Sequence, residues 1–238
     1  MKEKLLTEVF DKNFSEIKEK ILAAANKSGR KAEDITLLAA VKTVSPELIN
    51  YSIEKGIRVI GDNKVQELLA KENDVVKNVE KHFIGHLQTN KVKDVVGRVS
   101  LIESVDSVKL AKAIGKQSVK LNTVTDVLLE VNIGNEESKS GFLYNEIYEN
   151  IEEISKIDGI RIKGLMTIPP ICEDNSKNEE YFLKMHQLFI DIRDKKIDNV
   201  YMNILSMGMS DDYETAICCG ATEVRIGTLL YGRRNYNI

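Results

Sequence analysis

Ile35-Thr36-Leu37-Leu38-Ala39-Ala40-Val41 is an apolar run broken by a single threonine, and it ends on Lys42. A strand with one wet face alternates apolar and polar residues. A run this continuous reads as a strand covered on both faces, the condition of a parallel sheet wrapped in helices. Seven further segments read as strands: Ile57–Ile60, His82–Ile84, Leu101–Ser104, Val124–Asn132, Ile162–Ile168, Tyr201–Leu205 and Glu223–Ile226. Each is followed by an amphipathic stretch with helix punctuation. Ser45-Pro46-Glu47 supplies a cap, a proline suited to the first helical position and an early carboxylate, and Gly56 closes that helix. Ser210-Asp211-Asp212 repeats the cap-and-acid start, and Gly220 the stop. Lys64–Lys77, Asn90–Val96, Ser107–Gln117, Tyr144–Lys156 and Glu179–Lys195 supply the remaining helices. Eight strand-then-helix units without a long interruption predict an α/β chain closed into a single (β/α)8 TIM barrel; a doubly wound sheet is the alternative. Ahead of the first strand, Phe10, Phe14, Ile17 and Ile21 recur three to four residues apart, up to a stop at Ser28-Gly29. That spacing predicts an extra N-terminal helix within residues 1–30, packed on a barrel domain that spans 1–238.

Composition narrows the function. The 238 residues carry 34 Lys and Arg against 37 Asp and Glu, a formal charge of -3, so no cationic field marks nucleic acid as the main partner. The longest apolar runs fall well short of the ~18 residues of a membrane span. Met1-Lys2-Glu3-Lys4 leads straight into a charged amphipathic segment, which has none of the apolar core of a secretion signal. Cys172, Cys218 and Cys219 form an odd set with two neighbours, which suits a reducing compartment rather than a disulfide framework. A cytoplasmic protein is expected, with Cys218 and Cys219 packed near the end of a helix. No HxxE, Cys-x-x-Cys or GxGxxG spacing is present, so neither a metal site nor a dinucleotide site is expected.

In such barrels the working side chains come from the C-terminal strand ends and the loops after them. Those positions hold Lys42, Asp62-Asn63, His86, Asp106, Asn132, Met166, Ser206 and Arg225-Ile226-Gly227-Thr228. Lys42 ends a run that should be buried. Burial lowers an amine's pKa and lets it attack an aldehyde at neutral pH; a stem that packs while its head reaches water is the other reading. Gly227 admits an anion close to the backbone and Thr228 adds a hydroxyl, at the corner where barrels often bind phosphate. Arg225 lies between apolar neighbours and needs an acidic partner, which a neighbouring strand or a bound ligand could supply. Ser206 and the amides that follow it, beginning with Met207, could donate to the same anion or simply form a glycine turn, with Ser210 as a helix cap. Asn63 reads either as a pocket donor or as a turn residue. His86 reads as a pocket wall or a base, whereas His82 and His186 read as structural. The Glu137-Ser138-Lys139-Ser140-Gly141 loop could hold a second ligand or nothing.

Several segments, in order, resemble the YggS/PROSC family of pyridoxal phosphate homeostasis proteins. They are Leu38-Ala39-Ala40-Val41-Lys42-Thr43, Gly61-Asp62-Asn63-Lys64-Val65-Gln66-Glu67 and His82-Phe83-Ile84-Gly85-His86-Leu87-Gln88-Thr89-Asn90-Lys91. Val131-Asn132-Ile133, Gly164-Leu165-Met166-Thr167-Ile168-Pro169, Leu205-Ser206-Met207-Gly208-Met209-Ser210-Asp211-Asp212 and Val224-Arg225-Ile226-Gly227-Thr228 continue the match. The family more often has Glu and an aromatic where this chain has Asp62 and Lys64, and a small polar residue where it has Val41. The resemblance implies a type III barrel like the N-terminal domain of alanine racemase, with pyridoxal 5'-phosphate held as a Schiff base on Lys42. It further implies that Ser206, Met207, Gly227 and Thr228 surround the phosphate, that Asn63 lines the pocket and that Arg225 faces the ring nitrogen. Arg225 would keep that nitrogen unprotonated and weaken the ring as an electron sink. The implied role is cofactor and amino-acid homeostasis without a turnover reaction, with apo pyridoxal phosphate-dependent enzymes as recipients; with no added oligomerisation domain in the sequence, a monomer is expected.

The alternative is a racemase-type enzyme, which needs an acid or base on each face of its substrate. Only residues 228–238 follow Gly227, fewer than the added domain that brings the second base in racemases, and Tyr231 and Tyr236 have no evident route to that face. A Schiff-base aldolase would want a partner beside Lys42, for which only His86 is a candidate.

Overall fold

The computed structural model describes residues 2–137, 139–170 and 175–232. Eight parallel strands close on themselves: β1 (Thr36–Ala40), β2 (Val59–Asp62), β3 (Glu80–Phe83), β4 (Leu101–Val105), β5 (Thr125–Asn132), β7 (Ile160–Met166), β8 (Val200–Ser206) and β9 (Glu223–Ile226). Neighbours follow chain order, β4 pairs with β5, and β1 pairs with both β2 and β9, so no barrel strand is left as an edge. A two-residue strand, β6 (Phe142–Leu143), adds to the end of β5 outside the barrel and has no counterpart in the sequence reading. Helices α2 (Pro46–Glu54), α3 (Val65–Lys71), α4 (Val108–Lys120), α5 (Ile147–Ile154), α6 (Asn175–Lys195), α7 (Tyr213–Cys218) and α8 (Thr228–Tyr231) follow the strands.

The two-residue alternation of a strand divides the core in two. Ala39, Val41, Ile60, Phe83, Ile102, Val127, Leu129, Val224 and Ile226 face the helix layer, in the large cluster that also takes in the helices. Leu38, Ala40, Val59 and Ile84 fill one part of the barrel interior, and Leu101, Leu128 and Met166 with Ile204 another. The predicted N-terminal helix is α1 (Lys2–Lys27), which buries Phe10, Phe14, Ile17 and Ile21. Phe10 stacks on Phe14 and on Tyr231, with ring centroids 5.3 and 5.7 Å apart, so α1 is bound to the last helix of the barrel. Cys219 is buried beside the end of α7, where the adjacent pair was expected, whereas Cys172 lies outside the described residues.

Two helices are shorter than their apolar spacing predicts. The side chain of Asn50 donates to Asp74 O at 2.8 Å and accepts from Val76 N at 3.0 Å, which draws the chain out of α3 after Lys71. The stretch read as a helix over 90–96 is a 3-10 helix, Thr89–Asp94. Ser45 caps α2 as predicted, and Ser107, read only as the start of the fourth helix, caps α4. Ser210 does not cap α7. Asp212 is the residue at that cap, its carboxylate closing the preceding turn by accepting from Met209 N at 2.6 Å, while Ser210 Oγ accepts from Leu229 N at 3.3 Å.

Candidate functional site at the C-terminal mouth

Lys42 lies two residues beyond the last residue of β1. By alternation it falls on the interior side, with Leu38 and Ala40, and it is half-buried. Its position is fixed from both sides. Val41 N donates to Gly61 O at 3.0 Å, and Val41 O accepts from Lys71 Nζ at 2.7 Å. On the other side Thr43 holds a left-handed backbone (φ 62°), and its N–H donates to Glu67 Oε2 at 3.0 Å. A β-branched residue in that conformation stores on the order of 1–3 kcal/mol of strain, which persists only where the surroundings impose it.

Asn63 Oδ1 is buried and has no hydrogen-bond partner, a state that a bound donor would relieve. The adjacent Gly85 is required because a Cβ there would collide with the Asn63 carbonyl. Asp62 points the other way, into the helix layer, where its carboxylate meets Lys71 Nζ at 3.1 Å. It therefore belongs to the support of Lys42 and not to the mouth. Asn132 and Met166 are likewise structural: Asn132 bonds Glu136 and Lys139 across the loop after β5, and Met166 fills the barrel.

At the last two strands the structure resolves what the sequence left open. Arg225 is buried, its Nη2 donating to Thr167 O at 2.8 Å and its Nη1 to Ser206 Oγ at 2.6 Å; Ser206 in turn donates to Glu103 Oε2 at 2.6 Å. The acidic counterpart of Arg225 is thus Glu103, reached through Ser206. With its hydroxyl bound on both sides, Ser206 has its donor and its acceptor engaged within the barrel. Met207 buries its side chain toward the helices and donates its amide to Glu223 O. Gly227 stands next to the strand that leads to Lys42. A Cβ there would stand 3.1 Å from Ala40 O, and the exposed Thr228 opens α8 beside it.

Around the rim, His86 is exposed, with Nδ1 3.1 Å from Asp106 Oδ2 and 3.3 Å from Ser140 Oγ. Ser138 of the same loop lies outside the described residues. Glu130, which the sequence reading passed over, sits within the field of Asp106, Arg225 and His86. Burial, then Asp106, pushes its carboxyl up to about 7, against the pull of Arg225 and His86. Deeper in the barrel, His82 Nδ1 approaches Glu103 Oε1 at 2.8 Å and Glu223 Oε2 at 3.6 Å. Burial opposes a charge on His82, but the Glu103 hydrogen bond and both carboxylates outweigh it and raise its pKa. For Glu103 burial is likewise outweighed, by His82 and Arg225, and its carboxyl is held down; burial beside Glu103 pushes Glu223 up. These residues did carry a signal: a Glu inside Leu101-Ile102-Glu103-Ser104 or Leu128-Leu129-Glu130-Val131 interrupts an otherwise apolar strand.

The sequence pattern described as alanine racemase, N-terminal domain, matches residues 13–235. A curated protein of Aquifex aeolicus named pyridoxal phosphate homeostasis protein is 44% identical over 225 residues, covering 94% of this chain and 97% of its own length. The chain belongs to the pyridoxal phosphate homeostasis protein family. Members of that family carry the name of a homeostasis protein rather than of an enzyme. A crystal structure of a protein from Bifidobacterium adolescentis, described as unknown, superposes with a TM-score of 0.92 at 33% identity, covering 95% of this chain and 96% of the other. PipY of Synechococcus elongatus, solved with PLP bound, gives a TM-score of 0.77 at 27% identity, over 84% of this chain and 93% of its own.

Proposed function

We propose that this protein binds pyridoxal 5'-phosphate at the barrel mouth through a covalent bond to the Lys42 amine, and that it serves cofactor homeostasis and amino-acid balance without turning over a substrate. The observation that carries the reading is the approach of the Gly227 backbone to Ala40, so close that a Cβ would stand 3.1 Å from the Ala40 carbonyl, which sets the proposed anion corner against the strand that leads to Lys42. The residues present fit the cofactor: Asn63 Oδ1 is a buried acceptor awaiting a donor, and Gly227, packed so close to Ala40 that a side chain would crowd it, keeps its backbone against the strand that leads to Lys42, next to the exposed Thr228. When bound, pyridoxal phosphate supplies an aldehyde that condenses with a primary amine and a ring that withdraws electrons. Lys42 provides the amine, Gly227 and Thr228 receive the phosphate, Asn63 lines the pocket, and Ser206 and Met207 form the wall behind. Arg225, held by Thr167 and Ser206, faces the ring nitrogen. A guanidinium has no proton to give up near neutral pH, so that nitrogen stays unprotonated and carbanion chemistry is disfavoured. We place the protein in the cytoplasm as a monomer, with apo pyridoxal phosphate-dependent enzymes as recipients.

The racemase-type alternative finds little support at the tail. The Tyr231 hydroxyl lies 3.0 Å from Ser52 Oγ beneath α1, away from the mouth, and burial pushes it up to about 12. Tyr236 lies outside the described residues. The test is borohydride reduction of the yellow protein followed by peptide mapping. A single phosphopyridoxyl label on the Lys42 peptide is expected; a label on another lysine sinks the assignment.

A further inference from the structure

The interior polar cluster has a feature that cofactor binding at the mouth does not use. His82 of β3, Glu103 of β4 and Glu223 of β9 are 4%, 0% and 2% exposed, and their three facing donor atoms lie within 4.8 Å of one another. Burying two carboxylates and an imidazole is costly unless something cationic compensates. Arg225 compensates one side, through Ser206, by way of Glu103 Oε2. On the other side Glu223 Oε1 is buried without any hydrogen-bond partner, which leaves a carboxylate turned into the cluster with unused binding capacity.

We propose that His82, Glu103 and Glu223 form a binding site for a divalent transition-metal cation, represented by Zn2+, inside the barrel, open toward its N-terminal end and joined to Arg225 of the mouth through Ser206. One imidazole nitrogen and two carboxylate oxygens are a donor set that suits such an ion, and three protein donors leave a position open for an exogenous ligand. The outer contacts follow the pattern of metal sites, in which ligands are held from behind. Ser206 donates to the second oxygen of Glu103, and His82 turns Nδ1 toward Glu103 and Glu223, with Glu80 too far from Nε2, at 3.9 Å, for a direct hydrogen bond. An entry path exists. A cavity of about 970 Å3 opens at the strand beginnings beneath α1, and both His82 and Glu223 line it, together with Glu80, Arg58, Phe14 and Ile35. The three ligands come from three strands far apart in the chain, so no spacing rule reveals them.

The competing occupant is a proton shared within the cluster. Equilibrium dialysis of the full-length protein, stripped with chelator and titrated with ZnCl2, separates the two. One zinc per chain is expected in the wild type, weakened at least tenfold in Glu223→Gln and in His82→Gln and retained in Lys42→Ala, which alters only the mouth. Circular dichroism confirms that each variant is folded. Because His82→Gln could fail to fold, Glu223→Gln, which keeps the side-chain shape, carries the decision. The absence of stoichiometric zinc on the wild type, or unchanged affinity in folded Glu223→Gln, overturns the proposal.

Discussion

Replacing Lys71 by methionine tests how the fold holds Lys42 in place. Lys71 Nζ bridges Val41 O at 2.7 Å and Asp62 Oδ1 at 3.1 Å, and the two side chains are only 12% and 5% exposed. Burial already raises the Asp62 carboxyl above its ordinary value, and Lys71 is the largest opposing influence. Without Lys71 a buried carboxylate must find a proton. The penalty is limited to about 1.36 kcal/mol for each pH unit between an unfolded pKa of ~3.9 and the working pH, roughly 4 kcal/mol at pH 7 and 1.5 at pH 5. The sign is that of an acid raised on folding: the folded state binds the proton more tightly, so stability present below the unfolded pKa is lost as pH rises. The lost bond to Val41 O adds about 1 kcal/mol at either pH. Lys71→Met should therefore lose about 5 kcal/mol at pH 7 and about 2.5 at pH 5 in urea titrations with an unchanged m-value. At roughly 2.1 cal/mol/K of unfolding entropy per residue over 238 residues, the melting temperature falls by ~10 °C and ~5 °C. Adding Asp62→Leu should recover most of the loss. A penalty below ~1 kcal/mol at pH 7, or the same penalty at both pH values, refutes this account of how Lys42 is supported.

Other substitutions separate structural from ligand roles. Ser206→Ala breaks the link between Glu103 and Arg225 and should destabilise by about 1–3 kcal/mol, read from denaturant midpoints. Thr228→Ala removes only an exposed side chain: stability should stay within about 0.5 kcal/mol while pyridoxal phosphate affinity falls, and a fall in stability without a fall in affinity contradicts its place at the anion corner. Gly85→Ala forces a Cβ into the Asn63 carbonyl and should lower stability by about 3 kcal/mol, with a melting curve as the check. Glu130, raised to about 7, makes the cofactor-free protein lose stability as pH climbs from about 4.5 through 7, on the order of 2 kcal/mol after allowance for partial exposure. In Glu130→Gln that share of the slope should be lost, leaving the part due to other raised carboxyls such as Asp62 and Glu223, and a profile as steep as the wild type's argues against the shift.

Continuous apolar runs need cover on both faces, so the eight strands and the amphipathic α1 were readable from residue pattern alone, while closure into a barrel rather than a doubly wound sheet was settled by the β1–β9 and β4–β5 pairings. The strand-end places of Lys42 and Gly227 were legible for the same reason: each stands at the end of such a run, where a polar or flexible residue has no role in packing. The pattern could not say which way a side chain at a strand end points. Asp62 and Asn63 are neighbours in sequence, yet Asp62, the last residue of β2, turns to Lys71 in the helix layer, while Asn63 just beyond it keeps a buried Oδ1 without a partner. Nor could it pair residues across the barrel. Glu103 meets Arg225 through Ser206, and His82 meets Glu223, only once the sheet closes, since hydrogen bonds and charge pairs depend on distances of a few ångströms that local sequence does not encode.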